Sequence, residues 1–421
     1  MLDNGPVPSA SRPMTPAEKY FAFLDLCWPS NPILNADLET CFDPEYVEGR
    51  WREFRERRVY ARLMPTADLT IVDGGTSKDT FAARSLPASQ WDADLAHEAE
   101  RAQGLERTLA CHYLASPEEG TSRLYLLGHH STTDGRGGLA ELRAFLQFLD
   151  GRDVPTQDRI SQPPEPTSPF GWQEDRRALL GLLQELSDRN RVLGPPLPAG
   201  WPDSSAERSS RGHRIILDPE TSGAVISRAR AEGVRVFSAM AAAWLQAVAS
   251  AVCDTDSGIL QLNVPVDRTV PSSDPRRPTA MNVGVIGHRY AVEPGNHWPL
   301  AREVAETVER AVGRGEGELF FHLARLDRIT DLARGVDTVG TSIREAPPGV
   351  SVTNMGLIDS AGDPPWVSNL CGNLPATPNQ VISFSTLGYR GQLCSTVWTD
   401  DSRMSPARSD QLVADFLSAL L

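Results

Sequence analysis

The segment that decides the fold reads Ser122-Arg123-Leu124-Tyr125-Leu126-Leu127-Gly128-His129-His130-Ser131-Thr132-Thr133-Asp134-Gly135. Its first seven residues form a short apolar run of the length of a β-strand. After the loop from Asp134 to Gly138, apolar residues recur at three- and four-residue intervals, which predicts an amphipathic helix; they are Leu139, Leu142, Phe145, Leu146 and Leu149. The two adjacent histidines are therefore expected where a strand ends and a helix begins.

Neighbouring side chains at the end of a strand point to opposite faces. One metal ion cannot easily bind both His129 and His130, so the pair is a poor zinc site and no metal site is predicted. One imidazole can instead face a cavity while the other packs in the core, and the Asp134-Gly135 turn can fix the aspartate locally. Histidine titrates near neutral pH, which suits a general base. The alternative is one buried, fully hydrogen-bonded histidine beside one surface histidine.

Composition restricts the function further. The chain has 421 residues and a formal net charge of −14, which argues against nucleic acid or an anionic membrane as the main partner. Its six cysteines lack CxxC spacing and are expected to be reduced thiols. No targeting pattern and no run approaching 18 apolar residues is found, so we expect a cytoplasmic protein without a membrane span. Lys19 and Lys78 are the only lysines, which leaves little basis for Schiff-base chemistry.

The length favours two lobes, because single cores rarely grow this large. Strands and helices mix in both halves, which predicts an α/β or α+β protein. We expect an N-terminal lobe over residues 1–170, a proline-flanked connecting segment over 171–212 and a C-terminal lobe over 213–421. Detailed expectations include helices over 43–61 and 319–334, a helix over 239–252 capped by Ser238, and a hairpin of strands 381–387 and 392–399.

The pattern His-His-x-x-x-Asp-Gly, between an apolar strand and an amphipathic helix, resembles the signature of the chloramphenicol acetyltransferase and condensation-domain superfamily. Later segments add to the resemblance: Asn263-Val264-Pro265-Val266-Asp267-Arg268, Met281-Asn282-Val283-Gly284, Val350-Ser351-Val352-Thr353-Asn354-Met355-Gly356 and Gly391-Gln392-Leu393. It covers residues 14–421 and is greatest to stand-alone polyketide-associated acyltransferases.

This resemblance implies two chloramphenicol-acetyltransferase-like lobes in a V-shaped pseudo-dimer, with the active site in a tunnel between them. His130 would be the general base that deprotonates a hydroxyl or amine of a small-molecule acceptor, and His129 would serve packing. The donor would be a thioester, either acyl-CoA or a phosphopantetheinyl acyl carrier protein. It would act as a co-substrate, with no tightly bound cofactor.

Other positions follow from the same resemblance. Asp134 would be structural and pair with an arginine; the candidate is Arg268, which stands one residue away from the usual family position, with Arg276 and Arg277 as alternatives. The sequence shows no evident oxyanion hole; Thr353, Asn354 and the Gly135 amide are candidates, by position alone, to bind the oxyanion of the tetrahedral intermediate.

Two other functions remain open from the sequence. One is a free-standing condensation enzyme that forms an amide between carrier-bound substrates. The other is a catalytically silent docking module, although such proteins tend to lose the motif residues and this chain keeps both His130 and Asp134. A chain whose two lobes enclose their own site is expected to be a monomer.

Overall fold

The computed structural model describes residues 11–77, 79–101, 104–157, 160, 171–196, 208–253, 258–267, 281 and 283–421. The first half mixes strands and helices. Its elements are β1 (Ser11–Pro13), α1 (Pro16–Cys27), β2 (Ile33–Leu38), α2 (Pro44–Arg57), β3 (Leu63–Pro65), β4 (Thr70–Asp73), β5 (Phe81–Ser85), α3 (Trp91–Ala99), β6 (Ala110–Ser116), β7 (Thr121–Leu127), α4 (Gly135–Leu149), α5 (Gly171–Glu174) and α6 (Arg176–Leu193).

The second half is also mixed, which confirms the expected fold class. Its elements are β8 (Ser210–Leu217), α7 (Pro219–Ala231), α8 (Val236–Val252), β9 (Gly258–Asp267), β10 (Val283–Val292), α9 (His297–Gly313), α10 (Leu319–Leu323), α11 (Leu332–Glu345), β11 (Gly349–Ile358), β12 (Val367–Asn373), β13 (Gln380–Tyr389), β14 (Gln392–Asp400) and α12 (Pro406–Leu420).

Two large sheets organise these elements. A five-stranded sheet has the order β12-β2-β7-β6-β5, and a six-stranded sheet has the order β10-β9-β11-β13-β14-β8. Each sheet packs against its own apolar core, since α4 covers the first sheet with Leu142 and Phe145, and α8 and α12 cover the second with Trp244 and Phe416. The ring centroids of that second pair lie 4.0 Å apart in a stacked arrangement. The fold therefore has two sheet-rich lobes.

The division of the chain at residue 212 does not separate the strands completely. β12 comes from the second half but pairs antiparallel with β2, where Gly372 lies opposite Leu34. Apolar residues of β12 such as Leu370 are consequently part of the core beneath the first sheet. A sequence cannot reveal this exchange, because strand pairing depends on where the chain returns in space.

Three expected helices differ in the structure. Residues 319–334 form a short α10, a 3₁₀ turn (Leu326–Arg328) and the start of α11, because Arg325 adopts left-handed backbone with φ of 50°. The helix expected over 43–61 ends at Arg57 and is followed by a 3₁₀ turn. The prediction that Ser238 is the N-cap of α8 is wrong. The helix begins at Val236, and the residue before it, Arg235, makes no side-chain capping hydrogen bond.

Among the described residues no single helix is long and apolar enough to cross a membrane. α7 and α8 reach that length only together, as a pair bent by 97°.

Candidate active site

The histidine motif forms a tight turn between β7 and α4. The amides of Thr132 and Thr133 both donate to the carbonyl of His129, at 2.9 and 3.0 Å. Gly138 permits the close packing of α4 on β2, since a Cβ there would lie 2.6 Å from Leu34 Cδ2. The loop is therefore held by its own backbone and by contact with the neighbouring strand.

His130 is buried on the wall of a cavity. Its Nδ1 lies 2.9 Å from the carbonyl oxygen of Thr133, so Nδ1 carries the proton and donates it. Nε2 then carries the lone pair, and it makes no hydrogen bond within the described residues. The ring stacks on Phe21 with centroids 3.8 Å apart. Burial lowers the pKa of His130 to about 4, which keeps the imidazole neutral at pH 7.

His129 is buried and does not line the cavity. Its Nδ1 accepts hydrogen bonds from the amide and the hydroxyl of Ser131, at 3.1 and 2.8 Å. The proton of the neutral ring is therefore on Nε2, which lies 3.5 Å from the carboxylate of Asp25. Burial lowers the pKa of His129 to about 3, so this ring is also neutral.

The sequence did not indicate two residues that contact the histidine motif, Asp25 at the end of α1 and Asn31 in the following loop. Both are almost fully buried, with 1 % and 2 % exposure. The Asn31 side chain donates to Asp25 through Nδ2 and accepts the backbone amide of His130 at 3.0 Å. Asp25 also accepts the amide of Gly104 at 2.8 Å. One buried carboxylate thus lies beside His129 and, through Asn31, positions the backbone of His130.

The cavity beside His130 has a volume of about 290 Å³. Aromatic side chains from α1 and α10 form part of its wall: Tyr20, Phe21, Phe320 and Phe321. Polar side chains from the six-stranded sheet form another part: Gln261, Asn263, Ser351, Thr353 and Ser385. No aspartate, glutamate, lysine or arginine is among the described residues that line it. The cavity therefore suits an uncharged, largely apolar ligand with a few hydrogen-bonding groups.

Asp134 is the N-cap of α4, where its side chain accepts the amide of Gly137 at 2.6 Å. Gly135 begins the helix and lines the cavity, so the positive end of the helix dipole lies beside the site. Arg268, Arg276 and Arg277 lie outside the described residues. At the neighbouring position, Asp267 pairs with Arg136 of α4 at 2.6 Å and joins the histidine motif to β9.

The structure places the two substrate-binding candidates on β11, Thr353 and Asn354, in different environments. Thr353 lines the cavity. Asn354 is exposed, and its side-chain oxygen accepts the amide of Gly356 at 2.9 Å. Alternation along the strand explains the difference, because adjacent residues face opposite sides of the sheet. Of the two residues, Thr353 lines the cavity and Asn354 does not.

Comparisons with known proteins agree with this architecture. Residues 206–369 match the family model of the phthiocerol/phthiodiolone dimycocerosyl transferase C-terminus. A comparison with curated protein sequences gives no significant match.

Solved structures match over nearly the whole chain. TRI3 trichothecene 15-O-acetyltransferase from Fusarium sporotrichioides is 9% identical, with a TM-score of 0.70 over 98% of this chain and 94% of that one. Polyketide synthase associated protein 5 from Mycobacterium tuberculosis is 16% identical, with a TM-score of 0.62 over 98% and 99%. The condensation domain from Monacolin K polyketide synthase MokA is 13% identical, with a TM-score of 0.60 over 98% and 96%.

At these identities the structures establish the fold, and the family model concerns the second half of the chain. The chain therefore has the fold of the condensation-domain and chloramphenicol acetyltransferase-like superfamily, as its motifs predicted, and its residues 206–369 are similar to the C-terminal part of a dimycocerosyl transferase family.

Proposed function

We propose that the protein transfers an acyl group from a thioester to the hydroxyl of a small-molecule acceptor in natural-product or lipid biosynthesis, with His130 as the general base. The observation that carries the proposal is a neutral imidazole on the cavity wall whose Nδ1 is fixed by Thr133 at 2.9 Å. This bond leaves the Nε2 lone pair available to a substrate in the cavity.

In this reaction Nε2 removes the proton of the acceptor hydroxyl, and the oxygen attacks the thioester carbonyl carbon. The resulting tetrahedral oxyanion collapses with cleavage of the carbon–sulfur bond. The imidazolium returns its proton to the departing thiolate, so the products are an ester and a free thiol. No covalent bond to the protein forms, and the histidine ends in its starting protonation state.

A lowered pKa has two consequences for His130. At pH 7 nearly all of the enzyme carries the base in its neutral form, but the base is intrinsically weak. The developing oxyanion compensates for this weakness, because a nearby negative charge raises the proton affinity of a buried imidazole. Donors for that oxyanion are the hydroxyl of Thr353 and the Gly135 amide at the start of α4, whose dipole favours negative charge.

The cavity lining supports an ester product over an amide. No charged side chain lines it among the described residues. An ammonium group or a carboxylate would lose its hydration there without gaining a counter-ion, whereas an alcohol loses far less. The acyl chain and the pantetheine arm of a thioester are also uncharged, and the phosphates of coenzyme A or of a carrier protein would remain outside. All six cysteines are free, which supports action in a reducing compartment such as the cytoplasm.

The test is product analysis by mass spectrometry after incubation with acyl-CoAs of increasing length and with 1-nonanol or nonylamine as acceptor. Ester formation from 1-nonanol should exceed amide formation from nonylamine. His130→Ala should lower kcat by about 100-fold or more, as general bases usually contribute this much. His112→Ala is the matched control, because His112 is partly buried and its pKa is also lowered to about 4, but it does not line the cavity.

Three outcomes would contradict parts of the proposal. Unchanged turnover of His130→Ala would exclude His130 as the base. Absence of transfer by the unsubstituted protein, from both acyl-CoA and a carrier protein loaded with the same acyl group, would favour a silent docking module. Amide formation from the loaded carrier alone would favour the condensation enzyme.

A further inference from the structure

Two carboxamide side chains stand together on β9 at the cavity. Gln261 and Asn263 are two residues apart on one strand, so both face the same side of the sheet. Both line the cavity that contains His130. Gln261 Nε2 donates to Asn263 Oδ1 at 3.1 Å, which makes the two side chains one connected unit.

Glycines on both neighbouring strands make room for this carboxamide pair. Gly287 of β10 lies opposite Asn263, and Gly349 of β11 lies opposite Gln261. A Cβ at position 287 would lie 3.1 Å from both Asn263 Oδ1 and Gln261 Nε2, and a Cβ at position 349 would lie 3.0 Å from Asn263 Nδ2. Any larger residue on either side would crowd the two amides, so the sheet leaves a gap where they stand.

The carboxamide pair retains unused hydrogen-bonding capacity. Each amide has two N–H donors and an oxygen that can accept twice. Their mutual bond uses one donor and one acceptor, and neither Asn263 Nδ2 nor Gln261 Oε1 has a partner among the described residues. An apolar ligand covering these groups would leave them unsatisfied, at a cost in binding free energy. The pair is therefore suited to a ligand group that both donates and accepts hydrogen bonds.

We propose that Gln261 and Asn263 form a subsite for an uncharged group of the substrate that both donates and accepts a hydrogen bond, a hydroxyl or a secondary amide. The subsite rests on the proposed acyl transfer and specifies its substrate. Charged groups are excluded because no counter-ion lines the cavity among the described residues. The group can come from a second polar function of the acceptor or from an amide of the pantetheine arm of the donor.

The experiment uses Gln261→Leu and Asn263→Leu in the full chain, since leucine keeps similar volume and removes the hydrogen bonds. Gln246→Leu is the matched control, because Gln246 lies on α8 and donates to the carbonyl of Glu293 away from the cavity. KM is measured for hexanoyl-CoA as donor and for two acceptors of equal length, 1-nonanol and N-hexyl-2-hydroxyacetamide.

If the acceptor supplies the group, the unsubstituted protein prefers the hydroxyacetamide, and each leucine variant raises its KM about tenfold while 1-nonanol is little affected. If the donor supplies it, KM for hexanoyl-CoA rises about tenfold and the acceptor preference stays unchanged. KM values for all three substrates within twofold of the unsubstituted protein, in both variants, would overturn the subsite.

Calorimetric titration with coenzyme A and with N-hexyl-2-hydroxyacetamide separates this inference from the proposed function, because it requires no turnover. Weaker binding in the leucine variants supports the subsite even when transfer is not detected. Normal transfer with unchanged binding removes the subsite and leaves the role of His130 standing. Thermal unfolding of each variant, compared with that of Gln246→Leu, shows whether the sheet remains intact.

Discussion

The pH dependence of transfer tests the environment of His130 directly. The acid limb of kcat/KM reports the pKa of the base in the free enzyme. With a pKa of about 4, only about 3% of the imidazole is protonated at pH 5.5, whereas an ordinary histidine with a pKa of 6.5 would be about 91% protonated. We therefore expect kcat/KM to stay nearly constant from pH 8 to pH 5.5, where an exposed histidine would lose about tenfold.

The assay is ester formation under kcat/KM conditions at closely spaced pH values, with folding followed by circular dichroism. Folding must be checked because both motif histidines have lowered pKa values, to about 3 and about 4. The unfolded chain binds more protons than the folded protein below pH 6.5, so the stability that is fully present above pH 6.5 decreases as the pH falls. Each histidine contributes about 1.4 kcal/mol per pH unit to this loss until its folded pKa is reached.

An acid limb centred near pH 6.5, in protein that is still folded at that pH, would refute the reasoning, because it would mean that water reaches the imidazole in the free enzyme. The His112→Ala variant assigns the titration. His112 has a similarly lowered pKa outside the cavity, so this variant should keep the profile of the unsubstituted protein.

The remaining predictions concern the support of the site. Asp25→Asn should lower the free energy of unfolding by about 1–3 kcal/mol in urea, since Asp25 accepts hydrogen bonds with both carboxylate oxygens, from Asn31 Nδ2 and from the Gly104 amide, and an amide has only one acceptor oxygen; an unchanged midpoint would contradict this role. Asn31→Ala removes the acceptor of the His130 amide and should lower kcat about tenfold with little change in donor KM; a change in KM alone would mean that it binds substrate instead. Asp134→Ala removes the cap of α4 and should cost about 1 kcal/mol, whereas a fully stable but inactive variant would indicate a catalytic role. Light scattering should give a monomer mass near 45.9 kDa, and a dimer mass would contradict that expectation.

Local sequence patterns were sufficient to predict the secondary structure on both sides of the histidine motif. The strand before His129 and the helix after Asp134 form as predicted, because a strand-length apolar run and a 3.6-residue apolar periodicity are properties of adjacent residues. The broken helix after residue 319 was missed, since the left-handed conformation of Arg325 has no signal in its neighbours.

The sequence by itself predicted the turn that holds the histidines, because that turn depends on residues close together in the chain. The two lobes followed from chain length and from the family resemblance, and the resemblance also made His130 the candidate base. Only the tertiary structure decided which groups meet at the site. Asp25 and Asn31 reach the histidines from about a hundred residues away, and Gln261 and Asn263 reach the cavity from the other half of the chain. Contacts of this kind depend on how the two sheets pack, and no spacing along the sequence specifies that packing.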